Sequence, residues 1–282
     1  MENQKVLVKD QKIIEKLNGI FDSRNRLNDL TGKEWKFSTR SVISKSYPPN
    51  MQMSLRRQHG GQKPPELCAD LIKIFTKKEQ LVLDPLMGVG GTLLGASLCN
   101  RNAIGFEITP EWIDVYKQVC ELEGLKMQQT QQGNCKQLLK ELETKGTKVD
   151  FILTDVPYWN MDKLEQTRSK NARKTNLNHF NGFHKQTKEE WLQDMKEIFE
   201  KTSTVLKPNK YLAVFIGDMY REGTYHFLSG ELAKKISEIN GFVLKANLIW
   251  YDVSKSLHVY GYPFSFVPSM IHQNVLIFQK KE

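Results

Sequence analysis

The chain has 282 residues, enough for one large α/β domain around a buried core. Its 41 Lys and Arg residues against 32 Asp and Glu residues give a net charge of +9, which indicates either a polyanionic partner or simply a soluble basic protein. The four cysteines form no CxxC pair, and no signal peptide or membrane-spanning run is recognised, so we expect a soluble cytoplasmic chain that uses no metal.

From about residue 66 onward, short apolar runs alternate with longer amphipathic segments. Strands are predicted at 81–84, 102–107, 126–132, 149–155, 210–218, 244–252 and 273–279. Helices are predicted between them, including two long ones at 188–206 and about 226–239. This alternation predicts an α/β fold with a doubly wound, mainly parallel, seven-stranded sheet. Ligands of such sheets lie beyond the carboxyl ends of the strands.

Two segments fall outside this pattern. Residues 1–65 start with a helical pattern and become irregular and basic, so we interpret them as an N-terminal extension to a domain at 66–282. Residues 161–188 form a polar, basic insertion without an apolar period. A loop of this length inside a compact domain is usually functional or disordered.

A glycine-rich loop follows the first predicted strand of the domain, with the sequence DPLMGVGGT at 84–92. Glycines there let the backbone turn tightly and approach a ligand, although they could equally serve the turn alone. Glu107 ends the next strand, about 20 residues later, where a carboxylate can accept hydrogen bonds from ribose hydroxyls. This pattern suits a nicotinamide dinucleotide or S-adenosylmethionine. Leu93 stands where a dinucleotide motif has its third glycine, which argues against the dinucleotide.

The strand at 149–155 ends in Asp155-Val156-Pro157-Tyr158. This segment resembles the D/N/S-P-P-Y motif of the amino-group methyltransferases that make N6-methyladenine or N4-methylcytosine in DNA. Other segments resemble the same family in order: HGGQKP at 59–64 its H-P-x-Q-K-P element, DPLMGVGGT its D-P-F-x-G-S-G-T-T loop, GFEI at 105–108 its acidic ribose motif, and GN at 133–134 its Gly-Asp pair. The resemblance covers roughly residues 59–279.

The resemblance implies the Rossmann-like fold of methyltransferases that use S-adenosylmethionine, and a catalytic domain that takes this cofactor. The cofactor-binding positions that it implies are Lys63, Pro64, Asp84, Pro85, Leu86, Gly88, Gly90, Thr92, Glu107, Ile108 and Asn134.

The catalytic positions implied are Asp155, Val156, Pro157 and Tyr158. An exocyclic amine is a poor nucleophile because its lone pair is delocalised into the ring, and two acceptors that grip its hydrogens can free that lone pair. Asp155 would supply one acceptor and, by the resemblance, the Val156 carbonyl the other. The target base must leave the duplex to reach them, and Tyr158 can then stack on it.

The sequence departs from the family at several positions. Val156 replaces the first proline of the tetrapeptide, and Leu86 replaces a phenylalanine. Val89 and Gly91 lack the usual hydroxyls, and Gly60 replaces a proline. These departures leave open a nucleic-acid-binding protein that keeps the fold without turnover.

The sequence constrains the target base and the nucleic-acid contacts less than it constrains the cofactor. Asp155 favours adenine N6, whereas the flanking T-x-x-P-Y-W-N run resembles cytosine-N4 enzymes. RNA stays open, although no added RNA-binding domain is recognised in residues 1–65. We therefore expect double-stranded DNA as partner, with a homodimer and a cognate restriction enzyme as further candidates. Nucleic-acid contacts are expected, unless the insertion is only a solvated loop, from Trp159, Asn160, Lys163, Arg168, Lys170, Arg173, Lys174, Arg56 and Arg57.

Overall fold

A computed structural model describes residues 13–16, 19–159, 186–253 and 255–282. Most of the basic insertion at 161–188 therefore lies outside the described residues. The predicted nucleic-acid contacts that lie outside the described residues are Asn160, Lys163, Arg168, Lys170, Arg173 and Lys174, and they stay predictions.

Twelve strands are described: β1 (Ile13–Lys16), β2 (Gly19–Asp22), β3 (Val42–Ile43), β4 (Leu81–Asp84), β5 (Asn102–Glu107), β6 (Gln129–Gln132), β7 (Val149–Asp155), β8 (Leu206–Ile216), β9 (Met219–Arg221), β10 (Thr224–His226), β11 (Phe242–Tyr251) and β12 (His272–Lys280). The α-helices described are α1 (Gly32–Ser38), α2 (Met53–Arg56), α3 (Pro65–Phe75), α4 (Gly91–Leu98), α5 (Pro110–Glu123), α6 (Cys135–Thr144), α7 (Lys188–Val205) and α8 (Leu228–Ser237).

The central sheet has the strand order β3-β11-β12-β8-β7-β4-β5-β6. β12 runs antiparallel to its two neighbours, and the remaining pairs are parallel. The predicted α/β class and mainly parallel sheet are confirmed. The sheet has eight strands instead of seven, because β3 pairs with β11 at the edge through Val42 and Ile43. A two-residue strand carries too short a pattern to be recognised in the sequence.

Helices cover both faces of this sheet. α6, α7 and α8 pack on one face, where Ile152 of β7 joins their apolar core. α3, α4 and α5 pack on the other, where Phe151 and Leu153 point. A strand buried on both faces reads as a continuous apolar run, which is why 149–155 could be recognised as a strand.

Local signals fix where several helices begin and end. Pro110 starts α5 and Gly124 ends it in the left-handed conformation, with φ at 60°. Thr187 starts α7 through a capping box with Glu190. The start of α7 matches the predicted start at residue 188, because its capping chemistry lies within a few residues.

The N-terminal extension contacts the sheet domain. Its predicted helical start is wrong over the described residues, since β1 and β2 form an antiparallel hairpin there. The Asn28 side chain donates to the Ile74 carbonyl over 2.6 Å, and Asp29 pairs with Arg101 at 3.3 Å. The domain boundary at residue 65 stays a prediction. Within the described ranges, no helix has both the length and the apolar composition to cross a membrane.

Candidate active site

A cleft opens at the carboxyl edge of β4, β5, β6 and β7. The space between its walls, together with its open mouth, is about 930 Å³. A smaller cavity of about 380 Å³ adjoins it, and both share Asp155 in their walls. Of the predicted residues, Pro85, Leu86, Gly88, Glu107, Ile108, Asn134, Asp155, Val156 and Pro157 line the cleft. Lys63, Asp84 and Thr92 line the smaller cavity, together with Leu86 and Gly88.

The glycine-rich loop is held by contacts that leave little space for side chains. A Cβ on Gly90 would lie 2.3 Å from the Tyr116 ring, and Gly90 adopts φ of 76°. A Cβ on Gly88 would lie 2.9 Å from the His59 ring, with φ of 50°. Gly90 thus serves the turn and its packing, whereas Gly88 also forms part of the cleft wall.

Glu107 is a fixed, buried acceptor at the end of β5. Its Oε2 accepts from the Gly88 N–H at 3.0 Å, and its Oε1 accepts from the Thr109 N–H at 2.9 Å. Burial raises the pKa of this carboxyl, and the backbone donors oppose that rise. Each carboxylate oxygen has a second lone pair, so Glu107 can still accept from ligand hydroxyls in the cleft.

Asp84 ties the glycine-rich loop to β7. Its Oδ1 accepts from Thr154 Oγ1 at 2.8 Å and from the Leu86 N–H at 3.1 Å. Burial raises the pKa of Asp84 to about 6, although these donors lower it. Asp84 therefore acts here as a structural anchor between two strand ends, and Thr92 lies beside it.

Asp155 ends β7 and faces both cavities. Its Oδ2 forms an ion pair with the ammonium of Lys63, which is buried and lies 5.4 Å from the centre of the Phe215 ring. Its Oδ1 is buried and has no hydrogen-bond partner among the described residues. Burial raises the pKa of Asp155, while the charge and hydrogen bond of Lys63 lower it. Lys63, predicted to bind cofactor, thus contacts the predicted catalytic carboxylate.

The rest of the tetrapeptide is held by distant residues. The Pro157 carbonyl accepts from Trp191 Nε1 at 2.8 Å. Tyr158 Oη accepts from Gln273 Nε2 at 2.6 Å, and its ring packs against Gly217. These contacts fix the turn although Val156 replaces a proline. Tyr158 is not part of the cleft wall described above, and its position beside the cleft is set by the Gln273 bond.

Four further predicted residues occupy different places. Asn134 accepts from the Lys136 N–H at 2.9 Å and caps α6. Ile108 is half exposed at the mouth. Pro64 precedes α3 and lines neither cavity. Trp159 donates from Nε1 to the Gln186 carbonyl at 2.9 Å and packs edge-on against His226.

The two arginines predicted to contact phosphate differ. Arg57 is exposed. Arg56 is fully buried, and its guanidinium donates to the Lys63 carbonyl. The phosphate contact predicted for Arg56 is therefore wrong, because its guanidinium supports the backbone that carries Lys63.

Three residues at the site were not assigned a role from the sequence. Trp191 and Gln273 position the tetrapeptide from 34 and 115 residues away, so no local motif could reveal them. His59 lines both cavities and packs edge-on against Trp112 at 5.2 Å. Its burial and the charges of Lys63 and Arg56 lower its pKa to about 4, which keeps the imidazole neutral at pH 7.

Comparison with known proteins identifies the family. The profile of a family described as DNA methylase, of the N6/N4 type, matches residues 3–118 and 149–282, which is most of the chain. The chain belongs to this family. The chain is 53% identical over 49 residues to the Type II methyltransferase M.HindIII of Haemophilus influenzae, which is 17% of this chain and 16% of that protein.

More distant likenesses cover more of the chain. An uncharacterized RNA methyltransferase of Lactobacillus johnsonii is 24% identical over 145 residues, which is 51% of this chain and 28% of that protein. The chain thus spans less than a third of the length of these curated relatives. The crystal structure of TrmN from Thermus thermophilus superposes with a TM-score of 0.51 at 14% identity, covering 81% of this chain and 52% of TrmN, and shows the shared fold.

S-adenosylmethionine is the cofactor that this family and fold indicate. The residues present fit it. The Gly88 wall of the cleft has no side chain, and Glu107 offers buried acceptor oxygens at the end of β5, where folds of this class bind a ribose. Asp155, with one oxygen that has no partner among the described residues, lines the same cleft.

Proposed function

We propose that this DNA methylase transfers a methyl group from S-adenosylmethionine to the exocyclic amino group of a base in double-stranded DNA, with adenine N6 as the preferred target. One observation carries the proposal. Asp155 lies in the wall of the cleft that also contains Glu107, its Oδ2 is paired with Lys63, and its buried Oδ1 has no hydrogen-bond partner among the described residues. A buried acceptor without a donor is costly, so its persistence indicates a donor that arrives with the substrate.

Asp155, Val156 and Lys63 have different roles in the proposed transfer. The bound cofactor supplies an electrophilic methyl group. Asp155 Oδ1 accepts one amine hydrogen and the Val156 carbonyl a second, which directs the nitrogen lone pair away from the ring. Once the nitrogen carries the new methyl group, Asp155 Oδ1 would accept its surplus proton. Lys63 holds Asp155 ionised and in place before that transfer.

Tyr158 supports the flipped base. Its ring lies outside the cleft wall and is fixed by the hydrogen bond to Gln273 and by Gly217, so a base that stacks on it from the side of the cleft meets a ring that is already ordered. Stacking on such a ring contributes about 1–3 kcal/mol per base. The acidic first residue of the tetrapeptide supports adenine over cytosine as the target.

Methyl transfer by Asp155→Ala tests the proposal. We expect wild type to transfer tritiated methyl groups from labelled cofactor to unmethylated genomic DNA, and D155A to lose about 10²–10³-fold in rate, the size seen when an oriented partner of the transition state is removed. D155A should keep its cofactor affinity and its far-UV spectrum.

The matched control is Asp114→Ala, which removes an exposed carboxylate on α5 and should leave the rate unchanged. Wild-type protein that binds cofactor and DNA without transferring label would contradict the proposal. So would a D155A protein with the wild-type rate.

A further inference from the structure

The connection between β11 and β12 displays large apolar side chains to solvent. Its residues 255–271 are here named the aromatic loop. Phe264 is 94% exposed and Phe266 is 86% exposed, and the other strongly exposed apolar side chains of the loop are Leu257, Val259, Tyr260 and Tyr262. Soluble proteins rarely leave so many adjacent apolar side chains in water unless they contact something else.

Hydrogen bonds order the backbone of the aromatic loop although its rings are exposed. The Asp252 N–H donates to the Ile271 carbonyl at 3.0 Å and closes the base of the loop. Ser269 Oγ bonds both backbone groups of His258, at 3.2 and 3.3 Å. At the tip, the N–H groups of Phe264 and Ser265 both donate to the Gly261 carbonyl at 2.8 Å. The exposed rings are therefore attached to a backbone that hydrogen bonds hold in one conformation.

The topology places the aromatic loop at the catalytic edge. β12 is antiparallel to β11 and β8, and β8 is parallel to β7. The end of β11 and the start of β12 therefore lie at the same edge of the sheet as Asp155. Gln273, two residues after the loop, donates to Tyr158 of the tetrapeptide. One hydrogen bond links the segment that carries the loop to the catalytic turn.

The aromatic loop contains no acidic residue that would repel a polyanion. Residues 255–271 include Lys255 and contain no Asp or Glu. Tyr260, Tyr262, Phe264 and Phe266 alternate with small residues or proline. Exposed aromatic rings beside cations are the combination that binds unstacked bases, because rings stack on bases while cations meet phosphates.

We propose that the aromatic loop stacks on the bases of DNA that flank the flipped target and holds the strand open beside the cleft. This inference rests on the proposed function, since a flipped base leaves neighbours that have lost a stacking partner. Phe264 and Phe266, the most exposed rings, take the main part. The loop replaces part of the stacking that the duplex loses.

DNA binding by the Phe264→Ala/Phe266→Ala double variant tests this inference. Fluorescence anisotropy with a labelled duplex that wild type binds, in the presence of cofactor, should show affinity weakened by at least about tenfold, since each stacked base contributes substantially. Cofactor affinity and the urea midpoint should stay at wild-type values because both rings are exposed. The matched control is Phe37→Ala, which removes a half-exposed ring on α1 and should change neither affinity.

Two further variants separate stacking from general apolar contact. Phe264→Trp should keep the wild-type DNA affinity, whereas Phe264→Leu should lose affinity as Phe264→Ala does. Equal DNA affinity of wild type and the double variant would overturn the inference. A double variant that sediments as a smaller species with unchanged DNA affinity would also overturn it and assign the loop to self-association.

The two proposals fail separately in this design. Binding is measured without turnover, so wild type that binds DNA through the rings but transfers no methyl group contradicts the proposed function alone. A wild-type enzyme that methylates DNA while the double variant binds equally well contradicts the role of the loop alone.

Discussion

Asp84 and Asp155 end neighbouring parallel strands, yet their oxygens are occupied differently. Asp84 accepts hydrogen bonds from Thr154 and from the Leu86 N–H, and so fixes the part of the cleft that we assign to the cofactor, its cofactor half. Asp155 has one oxygen paired with Lys63, and its other oxygen has no donor among the described residues. Under the proposed function, the cofactor half is satisfied within the protein, whereas a substrate completes the half around Asp155, the transfer half.

The largest expected effect comes from removing the lysine that pairs with Asp155. In Lys63→Met the buried carboxylate loses its only described cationic partner, and we expect the methyl-transfer rate at pH 7 to fall on the order of 10²-fold. Burial raises the pKa of Asp155 and Lys63 lowers it. Loss of Lys63 therefore raises that pKa, and the acid limb of the rate profile should move to higher pH, with activity recovering as pH rises.

Lys63→Arg is the control for the pH profile. It keeps a cation, so its acid limb should stay near that of wild type even if its rate is lower. An acid limb shared by K63M and wild type would show that Lys63 does not set the ionisation of Asp155.

Gly90→Ala is expected to disturb the packing that supports the cofactor half of the cleft. The added Cβ would meet the buried Tyr116 ring at 2.3 Å, and Tyr116 cannot retreat because its Oη accepts from the Gln128 N–H. Gly124→Ala is matched, since Gly124 has φ of 60° but open space around its Cβ. We expect G90A to lower the free energy of unfolding by about 1–3 kcal/mol more than G124A, measured by urea titration. Equal losses of unfolding free energy in G90A and G124A would contradict the role of the contact between Gly90 and Tyr116.

Glu107→Gln tests the cofactor half through a smaller effect, a loss of cofactor affinity. The amide keeps the shape of the side chain but replaces one acceptor oxygen with a donor, which opposes either the Gly88 or the Thr109 N–H. Calorimetry should show cofactor affinity reduced about tenfold, with DNA affinity unchanged. Glu111→Gln, at an exposed position of α5, is the control. Cofactor affinity of E107Q equal to that of E111Q would contradict the role of Glu107.

The cofactor half could be predicted from the sequence because its contacts are local. Asp84, Gly88 and Glu107 lie within 24 consecutive residues, and a strand, a glycine turn and a second strand are enough to bring them together. The transfer half could be predicted only in its tetrapeptide. The lysine that pairs with Asp155 lies 92 residues away, and Gln273 lies 115 residues from Tyr158, so these partners follow from the strand order.

The errors have the same origin. Arg56 and Arg57 look equivalent in the sequence, but the fold buries one and exposes the other. β3 joins the sheet through two residues, and its pairing with β11 spans about 200 positions of sequence, a separation that local patterns cannot report. The aromatic loop is plain in the sequence as a run of rings, and only its exposure shows that those rings are not core.

The identity of the methylated nucleoside tests the central claim most directly. Wild-type protein would be incubated with unmethylated DNA and cofactor that carries a deuterated methyl group, and the DNA would then be hydrolysed to nucleosides for mass spectrometry. Transfer to an amine aligned by Asp155 and Val156 predicts label on an exocyclic nitrogen, and the acidic Asp155 predicts that the product is deuterated N6-methyladenine. Deuterated N4-methylcytosine would contradict the preference for adenine. Label on a ring carbon of cytosine, or only in an RNA control, would contradict the account.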